Sequence, residues 1–186
     1  MARPAAKVTS TDHRKGTHQS RTYATRAGRT SGPAAAAVPF DVLDFRKAYN
    51  SSSLDRIQVI KAGISAKKVY DLAGAMHVSQ DVMMKRLGFS KSTVNRKAQA
   101  GDALSVDQGE LVLGMSKLIG LVQTIVDESG DPELAKDFSA AQWLEEWLSQ
   151  PNPALGGVSP SVFLDTREGQ EVVSTLIAQM QSGAYA

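Results

Sequence analysis

Between Ser90 and Lys97 the chain places three hydroxyls (Ser90, Ser92, Thr93), a carboxamide (Asn95) and three cations (Lys91, Arg96, Lys97) in eight residues. None is a nucleophile beside a general base, so the cluster does not suggest covalent chemistry. Hydroxyls, amides and cations in this density suit binding to an anionic polymer. Cations and the free N–H groups of a helix start meet phosphates, whereas amide, hydroxyl and guanidinium groups meet base edges in a DNA major groove. The backbone at Ser90 and the Lys91 side chain are placed for phosphates. Ser92, Thr93, Asn95 and Arg96 are the candidates for base edges, with Lys97 as a further cation.

Such side chains need a helix held out from the body of the protein. Ser79 to Ala100 reads SQDVMMKRLGFSKSTVNRKAQA and supplies one. Ser79 is an N-cap residue and Asp81 lies in the first turn, where a carboxylate complements the helix dipole. Val82, Met83, Met84 and Leu87 recur at helical spacing. Gly88 then provides the left-handed exit that only glycine adopts cheaply. Ser90 starts a second helix with Val94 and Ala98 facing inward. Helix, glycine turn and polar-basic helix together form a helix-turn-helix pattern. Met84 stands where such motifs usually carry alanine, and Lys97 where a second buried apolar residue is common. A two-helix corner in an ordinary α-bundle, with a solvated basic face, is the alternative reading.

Enzymatic chemistry finds little support. The 186 residues include no cysteine and three histidines. His13 and His18 lie in a polar tail and His77 stands at a helix end without an evident partner. Glu145 and Glu146 are adjacent and diverge on a helix, and no phosphate-cradling glycine motif occurs. No cofactor or metal is expected. The absence of cysteine suits a reducing cytoplasm, and no uninterrupted apolar run of roughly 18–20 residues suggests a membrane span. The net charge of +2 is unevenly spread. Residues 1–37 carry seven Lys or Arg against one Asp, residues 67–97 seven against two acids, and residues 102–186 three against thirteen. Two partners of opposite charge would fit that division.

Residues 1–37 are Ser-, Thr-, Ala-, Gly-, Arg- and Pro-rich. Such a segment is expected to be disordered, and either to touch phosphates nonspecifically or to serve as a solubility tail. VPFDVLDFRKAY is short strand or helix. Leu54, Ile57, Ile60 and Ile64 mark a helical element ending near Gly63. Ser65 is expected to cap a helix to about Met76 with Ala66, Val69, Leu72, Ala73 and Met76 inward. Ser105 and Gln108 form a capping box for the longest helix, reaching about Glu128. Its Leu111, Met115, Leu118, Val122 and Ile125 stripe is widened by Val112, Ile119 and Val126. Such breadth fits either a homodimer seam or a buried central helix. A dimer, through this face or through the C-terminal domain beside it, would set two recognition helices about 34–36 Å apart on an inverted-repeat operator. After Gly130-Asp131-Pro132, a short helix is expected over Glu133 to Phe138. A second box, Ser139 with Gln142, opens a helix carrying Trp143, Leu144, Trp147 and Leu148, whose two tryptophans are read as core, a binding surface being the alternative.

Beyond Pro151 the chain reads PNPALGGVSPSVFLDTREGQEVVSTLIAQMQSGAYA. Pro160 after Ser159 opens a short turn. Asp165 with Glu168 reads as an acidic cap for a last helix whose buried face is Val172, Val173, Leu176, Ile177 and Met180. Gly183 is expected to end it. The PNPALGG stretch, the Phe163-Leu164-Asp165-Thr166 stretch and the final helix closing on Gly183-Ala184-Tyr185 resemble the C-terminal domain of the MbcA/ParS/Xre antitoxins. The common pattern has two leucines before Asp-Thr, and here Phe163 takes the first place. The upstream helix-turn-helix matches the Xre-like half, so the resemblance covers about residues 54–186.

The basic tail, 1–37, lies outside the resemblance and is expected to be disordered from its composition. The rest is expected to be all-α: an Xre-like helix-turn-helix domain with a long helix (38–128) and a small α-helical toxin-binding domain (129–186). The resemblance implies the antitoxin of a toxin–antitoxin pair, whose partner is a RES-domain toxin acting on NAD. The antitoxin would cover the toxin's active site and bind double-stranded DNA at its own promoter. Gly183, Ala184, Tyr185 and Ala186 would enter the toxin cleft, with Tyr185 as the plug, although an ordinary frayed terminus would have the same composition. A stand-alone dimeric helix-turn-helix regulator is the alternative function.

Overall fold

Serine caps and small residues fix where the helices begin and how closely they pack. The computed structural model describes residues 38–128 and 136–181. The 1–37 tail, the Glu133–Ala135 part of the expected short helix and Gly183–Ala186 lie outside the described residues. The described chain is helical: α1 (Phe45–Asn50), α2 (Ser53–Ala62), α3 (Lys68–Ala75), α4 (Gln80–Arg86), α5 (Lys91–Ala100), α6 (Val106–Glu128), α7 (Ala140–Ser149) and α8 (Arg167–Gln181), with 3-10 turns at Pro153–Leu155 and Pro160–Phe163. Extended pairing among these residues is limited to two isolated bridges, Ser65 with Ala103 and Asn152 with Val158.

Three expected caps form. Ser79 Oγ accepts the Val82 N–H at 3.2 Å. Ser105 Oγ accepts from the Gln108 N–H at 3.3 Å while Gln108 Oε1 accepts from the Ser105 N–H at 3.2 Å. That reciprocal arrangement satisfies two N–H groups that the helix itself leaves unpaired. Ser139 Oγ accepts from the Gln142 N–H at 3.4 Å, but the Gln142 amide turns to His77 rather than completing a box. Two caps differ from expectation. Ser65 is drawn into the bridge to Ala103, flanked by Ala66 N–H to Asp102 and Leu104 N–H to Ile64 carbonyl bonds, so α3 starts only at Lys68. At the last helix the cap is Thr166, whose Oγ1 accepts the Gly169 N–H at 3.0 Å, because Asp165 still belongs to the turn leaving Pro160–Phe163.

Helix α6 is the centre of the fold. Val112, Leu113, Met115, Leu118, Ile119, Leu121 and Val122 are all buried, covered by α1, α2, α3, α7 and α8. By length and composition alone α6 could cross a membrane, but here its apolar surface is the protein's own core. The broad face that suited a homodimer seam is therefore occupied within the chain. Two glycines allow this. A β-carbon at Gly120 would lie 2.0 Å from the Phe45 carbonyl oxygen, and one at Gly114 1.7 Å from Gln170 Oε1. Gln170 is itself buried and donates to the Leu111 and Leu164 carbonyls at 3.1 and 2.9 Å, pinning α8 to α6 and to the preceding turn.

The helical faces depart from the expected stripes in a consistent way. Leu54, Ile57, Val82, Val162 and Val172 are exposed, while Val59, Gly169 and Gln170 take interior places. Trp143 and Trp147 stack with ring centroids 6.4 Å apart and planes 10° from parallel. They are half-buried and pack on the edge of the core rather than within it.

Candidate nucleic-acid interface

The helix-turn-helix is built from α4, its turn and α5. Gly88 takes a φ of +67°, as the sequence requires of it. Met83, Met84, Leu87 and Phe89 are buried beneath the turn, so methionine fills the space usually left to alanine. Val94 and Ala98 are the buried residues of α5. Their burial fixes which side chains face away. Ser92, Arg96 and Gln99 are exposed on the outer side, and Thr93 and Asn95 are half-buried on its flanks. Gln99 was not among the sequence candidates, yet it lies seven residues after Ser92 and three after Arg96, the spacing of one helical face.

The candidate residues divide by whether they already have a protein partner. Arg96 and Gln99 have none among the described residues. Lys91 forms an exposed ion pair with Asp81 at 2.7 Å. Lys97 lies at the inward edge of α5, its Nζ donating to the Ala103 carbonyl at 3.1 Å. Ser90 occupies the N-cap position, but its Oγ meets Ser92 Oγ at 3.1 Å instead of a backbone N–H. The first N–H groups of α5 thus lack a side-chain cap, an arrangement that suits an incoming phosphate. Asn95 accepts a hydrogen bond on Oδ1 from the Tyr70 hydroxyl at 2.7 Å.

The basic charge around the motif is smaller than the count of lysines and arginines implies. Lys68 is paired with Asp41 at 2.7 Å. Burial pushes the Asp41 carboxyl up, but the Lys68 hydrogen bond, the Leu43 N–H and the Lys68 charge together hold it below the usual carboxylate range. Arg86 is withdrawn from DNA altogether. Its guanidinium forks onto both carboxylate oxygens of Glu145, with one bond at 2.8 Å, and reaches Ser149 Oγ at 3.1 Å. Both side chains are less than one-fifth exposed, and the pair ties α4 to α7 across 59 residues of sequence. Lys67, Lys85 and Arg96 remain as exposed cations.

A second tie runs beside it. His77, at the α3–α4 turn with φ +56°, has the Gln142 amide nitrogen 2.9 Å from Nε2, supplying the partner the sequence did not reveal. In the acidic C-terminal unit one turn is closed by a buried carboxamide. Buried Asn152 accepts the Ala154 N–H on Oδ1 at 2.9 Å, and its own N–H meets the Val158 carbonyl at 3.1 Å, closing the Pro-Ala-Leu-Gly-Gly turn. Glu146, Asp165 and Glu168 stay exposed, whereas Glu171 pairs with Lys117 at 3.2 Å. Arg167 bridges Asp107, at 2.9 Å, and Glu110 at the base of α6. The tail Gly183–Ala186 lies outside the described residues. Among those described, no group of three or more His, Asp or Glu could hold a metal ion.

Comparison with known proteins assigns a family to each half. Residues 55–116, from α2 to the middle of α6, match the antitoxin Xre-like helix-turn-helix domain. Residues 130–183 match the antitoxin Xre/MbcA/ParS C-terminal toxin-binding domain. Over 142 residues, 76% of this chain and 87% of the relative, the sequence is 46% identical to the Prs ADP-ribosylating antitoxin of Sphingobium sp. (strain YBL2). With an Xre-like helix-turn-helix and a toxin-binding unit in one chain, the protein belongs to the Xre/MbcA/ParS family of antitoxins.

Proposed function

We propose that the chain neutralises a RES-domain, NAD-consuming toxin by covering its active site, and binds its own promoter through α5 to regulate the pair. The observation that carries this is 46% identity across most of both chains to a relative whose name joins an antitoxin to ADP-ribosylation. ADP-ribosylation draws on NAD, so a toxin of that chemistry has a cleft for a phosphorylated dinucleotide. Glu146, Asp165 and Glu168 are exposed carboxylates of the C-terminal unit, a charge that suits a cationic cleft. In this reading residues 38–128 handle DNA and residues 129–186 the toxin, with Gly183, Ala184, Tyr185 and Ala186 entering the cleft. The match to the toxin-binding domain ends at residue 183, so the role of Tyr185 rests on the resemblance alone. The chain acts by binding, without catalysis of its own, in the cytoplasm. A homodimer on an inverted-repeat operator is part of the proposal, and it must use a surface other than the core face of α6.

The test is co-expression with the toxin gene beside it, scored by growth and cellular NAD. Full-length chain should preserve both, and chain lacking Gly183–Ala186 should preserve them less well. Equal protection by the truncated chain would move neutralisation to the domain surface. A chain that binds its upstream DNA but never protects would be a stand-alone regulator.

A further inference from the structure

We propose that Tyr70 is a specificity-positioning residue: its hydroxyl fixes the Asn95 carboxamide so that α5 presents the –NH2 end to DNA and discriminates against cytosine. This rests on the reading of α5 as the recognition helix. Tyr70 lies on α3, 25 residues before Asn95, beside Val69, Leu72 and Ala73, which are buried. Its ring packs half-buried against the core and its hydroxyl donates to Asn95 Oδ1 at 2.7 Å. A packed phenol has two torsions, both set by its neighbours, so the hydroxyl is a fixed post.

A carboxamide has two ends of nearly equal size, one accepting and one donating. Unheld, it can turn over and offer either to a base. With Oδ1 engaged by Tyr70, Nδ2 is the end without a partner among the described residues. A donor needs an acceptor opposite. In the major groove guanine offers N7 and O6, adenine N7 and thymine O4, whereas cytosine offers only its N4 donor. The held amide therefore accepts three bases and refuses cytosine, favouring guanine with its two acceptors. Removing the Tyr70 hydroxyl frees the amide to turn its oxygen outward and accept cytosine.

The experiment uses full-length chain and the best duplex selected from a randomised pool, with each base pair then substituted in turn. Tyr70→Phe keeps the ring, and an unchanged melting curve shows that it keeps the fold. Its affinity for the selected duplex should fall roughly two- to tenfold, the range for one neutral hydrogen bond. Discrimination against cytosine should shrink by a similar factor at one position and nowhere else. In an Asn95→Ala background the same Tyr70 change should have no further effect. Asn95→Asp keeps a partner for Tyr70 but loses the outward donor, so the preference at that position should turn toward cytosine. Unchanged base preference in Tyr70→Phe, or an undiminished Tyr70 effect without Asn95, would overturn the proposal. Should Arg96→Ala weaken binding while Tyr70→Phe keeps the wild-type preference, only the Tyr70 role is lost. Should Arg96→Ala and Asn95→Ala both bind as wild type, the recognition-helix reading falls, and this inference with it.

Discussion

Helices α5 and α6 are consecutive in the chain and opposite in how they use their surfaces. The ten residues of α5 bury only Val94 and Ala98, whereas α6 buries ten of its 23. A helix of ten residues is marginal on its own in water, so α5 persists because those two side chains dock it on the core. The rest of its circumference is left to Ser92, Arg96, Gln99 and their neighbours. α6 has the converse pattern, its wide apolar face being covered by five other helices. The contrast separates two meanings of a wide apolar face. Width on α6 marks the centre of a core, and sparseness on α5 leaves most of its polar circumference exposed.

The comparison breaks most severely at Gly120. Alanine there sets a methyl against the backbone carbonyl of Phe45, which cannot rotate away. Gly120→Ala should lose about 3 kcal/mol or more by urea denaturation, beyond the roughly 1 kcal/mol of helix propensity that alanine restores. A loss under 1 kcal/mol would mean that α1 is not held against α6. Next is the fork between Arg86 and Glu145. Arg86→Ala leaves a mostly buried carboxylate uncompensated and should cost about 2 kcal/mol in the same assay. The substitution should lower the melting temperature while leaving α5 itself intact, and a wild-type midpoint would show the fork to be incidental. The smallest effect is at Asp41. Its carboxyl is held below the usual range, so the Lys68 contact stabilises fully above about pH 4 and is lost as the pH falls through the lowered value. Asp41 is more than half exposed, so Asp41→Asn should cost at most about 0.5 kcal/mol at pH 7. It should also flatten the acid limb of a stability–pH profile. An unaltered limb would remove Asp41 from the account.

What could be read from the sequence follows from the range of the interactions involved. The caps at Ser79, Ser105 and Ser139 and the turn at Gly88 need only a few neighbouring residues, and the structure has each of them. Ser65 and Asp165 misled because a distant strand-like bridge and a preceding 3-10 turn claim those positions first. The exposure of Val82 and Val172 shows that an apolar residue at helical spacing need not point to the core. Arg86 with Glu145, Tyr70 with Asn95, and Gln170 with the Leu111 carbonyl join residues 25 or more apart. No local pattern announces them, and they decide which basic side chains are free for DNA. Gln99 was legible, since the face through Ser92 and Arg96 extends to it.

The most direct measurement is the behaviour of one variant, Arg96→Ala, in two assays run on the same preparation. Arg96 is exposed on α5 and forms no hydrogen bond or ion pair among the described residues. Affinity for the chain's own upstream DNA should fall by about 1–3 kcal/mol if Arg96 reads a guanine. Inhibition of the proposed partner toxin should match wild type within error. Loss of both activities, or of neither, would contradict the assignment of DNA to α5 and of the toxin to the C-terminal unit.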